Sequence, residues 1–219
     1  MCAVYRQKDS GSWRRTWRIE CRLLPAADGT SAVVYEMLPK LGGMLRYGIP
    51  NYRLPKERLE DDINCILKTG VQVKYGLKIG QDITIQQLRK EYDAVLITIG
   101  ASTDKKLGLE GEDADGVLSA VQFLRNVGKN MIMDLTGKEV AVIGGGNVSM
   151  DAVRTAKRLG AKKVSIVYRR RVADMTALPQ EIEGAVAEGI ELQTLKAPAA
   201  IDVDENHHVK GIYVTPQMV

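Results

Sequence analysis

The sequence predicts an α/β protein built from Rossmann-like βαβ units, and three observations support that prediction. Apolar runs of strand length alternate with segments of helical apolar spacing along most of the chain. One such run ends at Gly100, and another enters the triple-glycine turn that starts at Gly144. This second turn is followed by a helical pattern and then by a further apolar run, which is the order of a βαβ unit.

The secondary structure elements are predicted in order from these local patterns. Strands are expected at 32–35, 71–75, 93–99, 139–143, 164–168, 190–196 and 209–214, and helices at 56–69, 85–91, 117–127, 148–159 and 179–188. The runs 93–99 and 139–143 are almost continuously apolar, so both strands are expected to be buried. A polar turn is predicted at 202–208, whereas residues 1–31 contain no apolar period that can be assigned.

Composition and charge restrict the class of protein. The 219 residues are 45% hydrophobic and 26% charged, which is ordinary for a globular protein, and the net charge of +4 suits an anionic ligand such as a nucleotide. Aromatic residues are sparse and do not interleave with basic ones in the manner of nucleic-acid-binding proteins. Cys2, Cys21 and Cys65 form no CxxC pair, which predicts no metal site and a reducing, cytoplasmic location. No apolar run is long enough to predict a membrane span.

The glycine turn at Gly144 predicts a dinucleotide site. Gly144 permits a tight turn, and Gly146 lets backbone amides approach a pyrophosphate closely. The helix that starts there favours an anion through its free N–H groups and its dipole. The third position of the fingerprint is Ser149, a small residue that still allows close packing of helix on strand. The alternative interpretation is a βα turn that needs glycine for backbone shape alone.

Three arginines follow the second strand of this unit and predict the choice of cofactor. Proteins that bind NAD usually carry an acidic residue there, which accepts a hydrogen bond from the ribose 2′-OH. This sequence has Arg169, Arg170 and Arg171 instead, and a guanidinium group holds a 2′-phosphate in a bidentate fork. NADP is therefore favoured over NAD, and the alternative is an exposed basic turn.

A second candidate site lies in the first half of the chain, in YEMLPKLGGMLRYGIPNYRLP. Glu36 closes a strand, where a Rossmann unit places its ribose-binding acid. Gly43 and the glycine before it form a turn that a ligand can approach, and Pro50 and Pro55 stiffen the next stretch. These residues predict a ligand-binding loop.

Five strings of the sequence resemble a known family. The chain is similar to the small (beta) subunit of glutamate synthase, and equally to the flavin/NADPH portion of dihydropyrimidine dehydrogenase and related bifurcating transhydrogenases. The resemblance covers about residues 32–219. The strings are YEMLPKLGGMLRYGIPNYRLP, YDAVLITIGA, GEDADGV, VAVIGGGNVSMDAVRTAKRLGAKKVSIVYRR and MTALPQEIEGAVAEGIEL.

The resemblance implies a two-dinucleotide-binding architecture in which an NADP domain is inserted into an FAD domain. It divides this chain into an aberrant segment 1–31, a partial FAD-binding domain 32–128 and a truncated NADP-binding domain 129–219. In such proteins NADPH reduces FAD, and electrons leave through iron–sulfur clusters to a partner such as a glutamate synthase large subunit. No side chain is assigned as a catalytic acid or base, because flavin chemistry resides mainly in the cofactor. By motif position, Glu36 is assigned to the FAD ribose, Gly43, Met44, Arg53, Ile79 and Gly100 to the flavin nucleotide, and Gly144, Gly146, Asn147 and Arg169 to NADP.

Residues 1–31 lack the glycine fingerprint that this family places before its first acidic strand end. Relative to the family, we also expect this sequence to lack the second FAD segment, which follows the NADP domain, and the N-terminal cysteine-rich iron–sulfur region. We hypothesise that residues 1–30 are read out of frame. Because tryptophan has the single codon TGG, a shift by one base converts Trp13 and Trp17 to glycine, and permitted codons for residues 7–30 then encode a strand, GxGxxG and a helix. The bases of codons 6–32 test this hypothesis.

Two other functions stay open at the level of the sequence. One is an inactive nucleotide-binding fragment that binds NADPH but not FAD, since a shifted N-terminus lacks the FAD pyrophosphate site. The other is a regulatory module that senses the NADP pool.

Overall fold

The computed structural model of the protein describes residues 2–6, 31–101, 103–131 and 133–218. The chain divides into two compact units, one of residues 1–46 and 51–101 and the other of residues 47–50 and 102–219. The helix predicted at 117–127 lies in the second of these units, because Phe123 and Leu124 pack in that unit's core. The frame-shift hypothesis concerns residues 7–30, which lie outside the described residues.

The first unit is built on a four-stranded sheet. Its strands are β1 (Cys2–Arg6), β2 (Ser31–Glu36), β3 (Gln72–Tyr75) and β4 (Ala94–Ile97), in the order β3-β2-β1-β4. β2 pairs with β3 in parallel, and β1 is antiparallel to both β2 and β4. The strands β2, β3 and β4 therefore run in the same direction, and their carboxyl ends meet at one edge of the sheet.

The described residues of the first half of the chain form the helices α1 (Gly43–Tyr47), α2 (Lys56–Leu67) and α3 (Ile85–Glu91). α2 packs on the sheet through Leu59 and Ile63, which lie one turn apart on its buried face. α3 begins with a capping box, in which the Thr84 hydroxyl accepts from the Gln87 amide and the Gln87 side chain accepts from Thr84. This cap places Leu88 against the opposite face of the sheet.

The second unit contains a three-stranded parallel sheet, of β5 (Glu139–Ile143), β6 (Lys163–Tyr168) and β7 (Glu191–Thr194), in that order. An antiparallel hairpin follows, formed by β8 (Lys196–Val203) and β9 (Val209–Pro216). The helices are α4 (Ala120–Gly128), α5 (Asn147–Arg158) and α6 (Pro179–Ala187), and a 3₁₀ turn spans Val172–Asp174.

The core of the second unit forms around α5. Met150 and Val153 of this helix are fully buried beside Ile166 of β6, in one cluster with residues of α4 and α6. α5 ends before Gly160, whose φ of 90° is a left-handed conformation that glycine adopts without cost. α5 is therefore held by apolar contacts along one face, and its N-terminus is presented at the carboxyl edge of the parallel sheet.

The α/β fold class with Rossmann-like units is confirmed, and most predicted elements lie within a few residues of the observed ones. The prediction that 93–99 and 139–143 are buried strands is wrong, because β4 and β5 are the outermost strands of the described sheets. Ile97 is 56% exposed and Ile99 is 67% exposed. The predicted strand 190–196 is interrupted at Leu195, which has a φ of 56°, and the second half of that region continues as the unpredicted strand β8.

Candidate functional site: the glycine turn and the arginines of the second unit

The glycine turn lies at the carboxyl edge of the parallel sheet in the second unit. β5 ends at Ile143, Gly144 donates its N–H to the Val167 carbonyl over 3.0 Å, and α5 begins at Asn147. Gly146 is the N-cap residue of this twelve-residue helix and supplies no side-chain cap. The first amides of α5 are therefore not satisfied by a cap, and such a helix end stabilises an anion.

The three glycines of the turn differ in their surroundings. A Cβ at Gly144, where φ is 137°, would lie 2.6 Å from the Ser149 hydroxyl, and a Cβ at Gly145 would lie 2.7 Å from the ring of Tyr168. At Gly146 the nearest atom beyond its chain neighbours is the Thr176 hydroxyl oxygen, at an ordinary contact distance of 3.5 Å. Gly144 and Gly145 are thus required by the protein's own packing, whereas Gly146 faces space that a ligand can enter. This arrangement fits a pyrophosphate at Gly146.

Residues 171–178, which we call the covering segment, return from the end of β6 to the glycine turn. The Ala177 amide donates to the Gly145 carbonyl over 3.0 Å, and the Leu178 amide donates to Oδ1 of Asn147 over 3.0 Å. Asn147, which the family motif assigns to NADP, therefore uses its side-chain oxygen to hold the chain, and its amide nitrogen remains as a donor.

Tyr168 links the covering segment to the glycine turn from the other side. Its ring packs against Gly145, and its hydroxyl donates to the Asp174 carbonyl over 2.7 Å. Because both ends of the side chain are held, the ring cannot move away from the turn without losing a hydrogen bond.

The three consecutive arginines have different environments. Arg171 is paired with Asp174, with 3.0 Å between Nε and Oδ2 and 3.3 Å between Nη2 and Oδ1. Hydrogen bonding from Arg171 holds the pKa of the Asp174 carboxyl below its ordinary value. All three arginines are exposed, but among the described residues neither Arg169 nor Arg170 forms an ion pair, and the charge of Arg170 adds to the lowering of the Asp174 pKa. The two arginines predicted to bind a 2′-phosphate are thus available for it, and they follow the strand next to the glycine turn.

The predicted FAD residues lie in two groups in the first half of the chain. Glu36 ends β2, is 3% exposed and accepts a hydrogen bond at Oε1 from the Leu38 amide over 3.0 Å. Gly100 follows β4 with a φ of 70°, and lies at the same edge as Glu36 because β2 and β4 run in the same direction. Gly43 and Met44 begin α1, with Gly43 at a φ of 51°.

The remaining two predicted FAD residues lie away from the strand ends. Arg53 is half-buried in the turn before α2, and Ile79 packs beside Leu88 in a cluster below the sheet. The side chain of Ile79 therefore has a packing role.

Sequence reasoning did not single out the roles of Tyr168 or of the Arg171–Asp174 pair. The spacing of the pair, three residues apart with opposite charges, was a usable signal. The contact between Tyr168 and Gly145 had no local signal, since the two residues come from different strand ends. Among the described residues, no group of three or more His, Cys, Asp or Glu side chains could hold a metal ion. That part of the chain also has no helix with the length and apolarity that a membrane crossing requires.

Comparison with known proteins identifies the relatives of this sequence. The sequence profile of a family described as pyridine nucleotide-disulphide oxidoreductase matches residues 22–217. The beta subunit of NADP(+)-dependent formate dehydrogenase from Moorella thermoacetica is 41% identical over 189 residues, which are 85% of this chain and 27% of that protein. The small chain of NADPH-dependent glutamate synthase from Escherichia coli K12 is 34% identical over 204 residues, which are 89% of this chain and 43% of that protein. The resemblance to the glutamate synthase small-subunit family is confirmed by these matches.

A solved structure shares the fold. FprA from Mycobacterium tuberculosis superposes with a TM-score of 0.74 at 21% identity, over 90% of this chain and 60% of that one. At this identity the likeness supports the fold alone. The chain spans less than half the length of both curated relatives.

Proposed function

The chain belongs to the pyridine nucleotide-disulphide oxidoreductase family, and we propose that it is the NADPH-binding part of a flavin-dependent oxidoreductase. The observation that carries this proposal is the open position at Gly146, at the uncapped N-terminus of α5. The packing at Gly146 leaves room for a side chain, so access of a ligand to the backbone would account for the glycine there.

The residues around Gly146 suit NADP in particular. The pyrophosphate would accept hydrogen bonds from the first amides of α5, and the helix dipole would add to its stabilisation. Arg169 and Arg170 would hold the 2′-phosphate, because they are exposed at the end of the neighbouring strand and the paired Arg171 does not compete for that position. NADH, which lacks the 2′-phosphate, would gain nothing from either arginine.

We assign residues 32–128 to FAD and residues 129–219 to NADP, as the family resemblance implies. Both cofactors are supported by the family match and by the NADPH-dependent relative. Glu36 would accept from an adenosine ribose hydroxyl, and Gly43, Met44, Arg53, Ile79 and Gly100 would lie along the nucleotide. FAD, when bound, supplies the step between a two-electron donor such as NADPH and one-electron acceptors.

The acceptor is proposed to be an iron–sulfur partner subunit, of the kind represented by the glutamate synthase large subunit. The names of both relatives describe one chain of a larger enzyme, a beta subunit and a small chain. Glutamate synthesis is one process that such a partner would define, and formate oxidation is another. A cytoplasmic location belongs to the same proposal.

A second candidate function is NADPH binding without FAD, and the direction of β1 favours it. In a Rossmann unit the strand between β2 and β4 runs parallel to both and leads into a glycine turn at their carboxyl ends. Here β1 fills that position in the opposite direction, with Cys2 paired to both Tyr35 and Ile97. The start of β1, and not a glycine turn that follows a strand, therefore lies at the edge where the FAD pyrophosphate would bind.

The proposal is tested by titrating the purified chain with NADPH and, in parallel, with NADH, and by measuring its flavin content. We expect NADPH to bind far more tightly, and Arg169→Ala to weaken NADPH binding while NADH binding is unchanged. Lys162→Ala is the matched control, because it removes the same charge near the other end of β6. Stoichiometric flavin supports the oxidoreductase, and NADPH binding without flavin supports the second candidate. Equal affinity for the two nucleotides would contradict the assignment to NADP.

A further inference from the structure

The covering segment is held on the glycine turn by several independent contacts. Two are the backbone amides of Ala177 and Leu178, which donate to Gly145 and to the side chain of Asn147. A third is the Tyr168 hydroxyl, which donates to the carbonyl of Asp174. The covering segment and the glycine turn are therefore joined by hydrogen bonds on one side of the open position at Gly146.

The Arg171–Asp174 pair joins the two ends of the 3₁₀ turn within the covering segment. Besides the two side-chain hydrogen bonds of the pair, the Asp174 carboxylate accepts from the Arg171 backbone amide over 3.2 Å, and the Asp174 amide donates to the Arg171 carbonyl over 3.0 Å. These four contacts hold the 3₁₀ turn in shape, and the carbonyl that receives the Tyr168 hydroxyl is part of the same turn. Loss of the pair would remove two of these four contacts and loosen the turn that carries the Asp174 carbonyl and, through it, the ring on Gly145.

We propose that Arg171 and Asp174 are positioning residues for the pyridine nucleotide, and that Arg171 is not a ligand of the 2′-phosphate. In this assignment three consecutive arginines have two roles: Arg169 and Arg170 bind the phosphate, and Arg171 keeps the covering segment closed over the glycine turn. The inference rests on the proposed function, since it concerns the same nucleotide site.

The two roles predict different patterns of affinity. The pyrophosphate that the covering segment would border is present in both NADPH and NADH. Loosening the segment should therefore lower the affinity for both nucleotides by the same factor. A ligand of the 2′-phosphate contributes to NADPH alone, because NADH has a hydroxyl group at that position. The ratio of the two dissociation constants therefore separates a positioning arginine from a phosphate-binding arginine, independently of how large either effect is.

The binding experiment compares Arg171→Ala and Asp174→Asn with Arg169→Ala. This third variant is the matched control, because it removes the same side chain two residues earlier in the chain. We expect Arg171→Ala and Asp174→Asn each to weaken the binding of NADPH and NADH alike, by up to about fivefold, which is the effect of losing a largely exposed ion pair. Arg169→Ala is expected to weaken NADPH by about tenfold or more and to leave NADH unchanged. An Arg171→Ala chain that loses affinity for NADPH alone, or an Asp174→Asn chain that binds NADPH more tightly, would overturn the proposal.

A second measurement needs no nucleotide. Hydrogen–deuterium exchange of the full chain reports the amides of Ala177 and Leu178, whose acceptors lie in the glycine turn. We expect both single variants to speed exchange in the covering segment while exchange in β6 and α5 is unchanged. The double variant Arg171→Asp/Asp174→Arg rebuilds the ion pair, but its new side chain at position 174 cannot accept from the amide of residue 171, so it is expected to restore only part of the protection.

The two measurements fail separately. If the unaltered chain binds neither nucleotide, the proposed function is refuted, and the exchange data still decide whether the pair closes the segment. If the single variants exchange at the rate of the unaltered chain, the positioning role of Arg171 is refuted even when NADPH binds tightly.

Discussion

Replacing Gly145 by alanine would bring a methyl group into steric conflict with the ring of Tyr168. The added Cβ would lie 2.7 Å from Cε2 and 2.9 Å from both Cδ2 and Cζ of that ring. Carbon atoms attract at about 3.5–4.0 Å and repel strongly at these shorter distances. The ring cannot retreat freely, because its hydroxyl donates to the Asp174 carbonyl over 2.7 Å. The cost of the substitution is therefore an overpacked contact together with a hydrogen bond that is strained or lost.

The magnitude follows from these two contributions. Overpacking of a buried contact costs about 1–3 kcal/mol, and a lost neutral hydrogen bond costs about 1 kcal/mol. We expect Gly145→Ala to lower the free energy of unfolding by about 2–4 kcal/mol. For a chain of this size the midpoint of thermal unfolding should fall by roughly 5–15 °C.

Urea unfolding followed by far-ultraviolet circular dichroism measures the effect, with Gly146→Ala as the matched control. At Gly146 an added Cβ meets the Thr176 hydroxyl at 3.5 Å, so the control should cost less than about 1 kcal/mol and yet weaken NADPH binding. A double-mutant cycle with Tyr168→Ala isolates the contact, because Gly145→Ala should cost little once the ring is gone. The reasoning is refuted if Gly145→Ala is as costly without the ring, or if Gly146→Ala is the more destabilising of the two.

Three further substitutions or conditions test other contacts of the second unit. Asn147→Ala removes the acceptor of the Leu178 amide and should cost about 1 kcal/mol of unfolding free energy, whereas Asn147→Asp keeps an acceptor oxygen and should cost less; equal losses in urea titrations would contradict this. Arg154→Ala breaks ion pairs of 2.7 and 2.8 Å with two glutamates at α6, at a site only 15% exposed, and should lower the unfolding free energy by about 2–4 kcal/mol; a loss below about 1 kcal/mol in the same assay would show that solvent replaces these pairs. The pKa of Asp174 is lowered by hydrogen bonding from Arg171, so its contribution is present above the ordinary value of 3.8 and is lost as the pH falls through the lowered pKa. The difference in stability between the unaltered chain and Asp174→Asn should therefore be constant from about pH 6 to 8 and shrink below about pH 4, and a difference that persists in acid would argue against the carboxylate as its cause.

Local signals in the sequence were sufficient for much of the second unit. The period of apolar residues and the glycines that start at position 144 predicted a strand, a turn, a helix and a second strand, and these elements are present in that order. The helix 85–91 was predicted with its observed bounds, and in the structure its first turn is closed by a cap that depends on the neighbouring residues Thr84 and Gln87 alone. Such features are decided by contacts within a few residues, and a sequence displays those contacts directly.

The position of a strand within its sheet was not available from local signals. The runs 93–99 and 139–143 have the composition of buried strands, yet both lie at the edges of the described sheets. The residue pattern of an apolar strand is the same whether the strand has one neighbour or two in the sheet, because its partners come from distant parts of the chain. The antiparallel direction of β1 is likewise a property of its pairing with β2 and β4, since residue pattern does not encode direction.

The sequence alone determined that a glycine-rich turn and a basic cluster stand at the two strand ends of a βαβ unit, and the family resemblance added which cofactors they suit. Tertiary structure decided how the members of each group differ. Gly145 is packed by Tyr168 while Gly146 is open, and Arg171 is paired with Asp174 while Arg169 forms no ion pair among the described residues. The physical reason is that three identical residues in a row have identical chemistry. They differ only in the atoms that folding places around each one, and those contacts decide whether the residue stabilises the fold or remains available to a ligand.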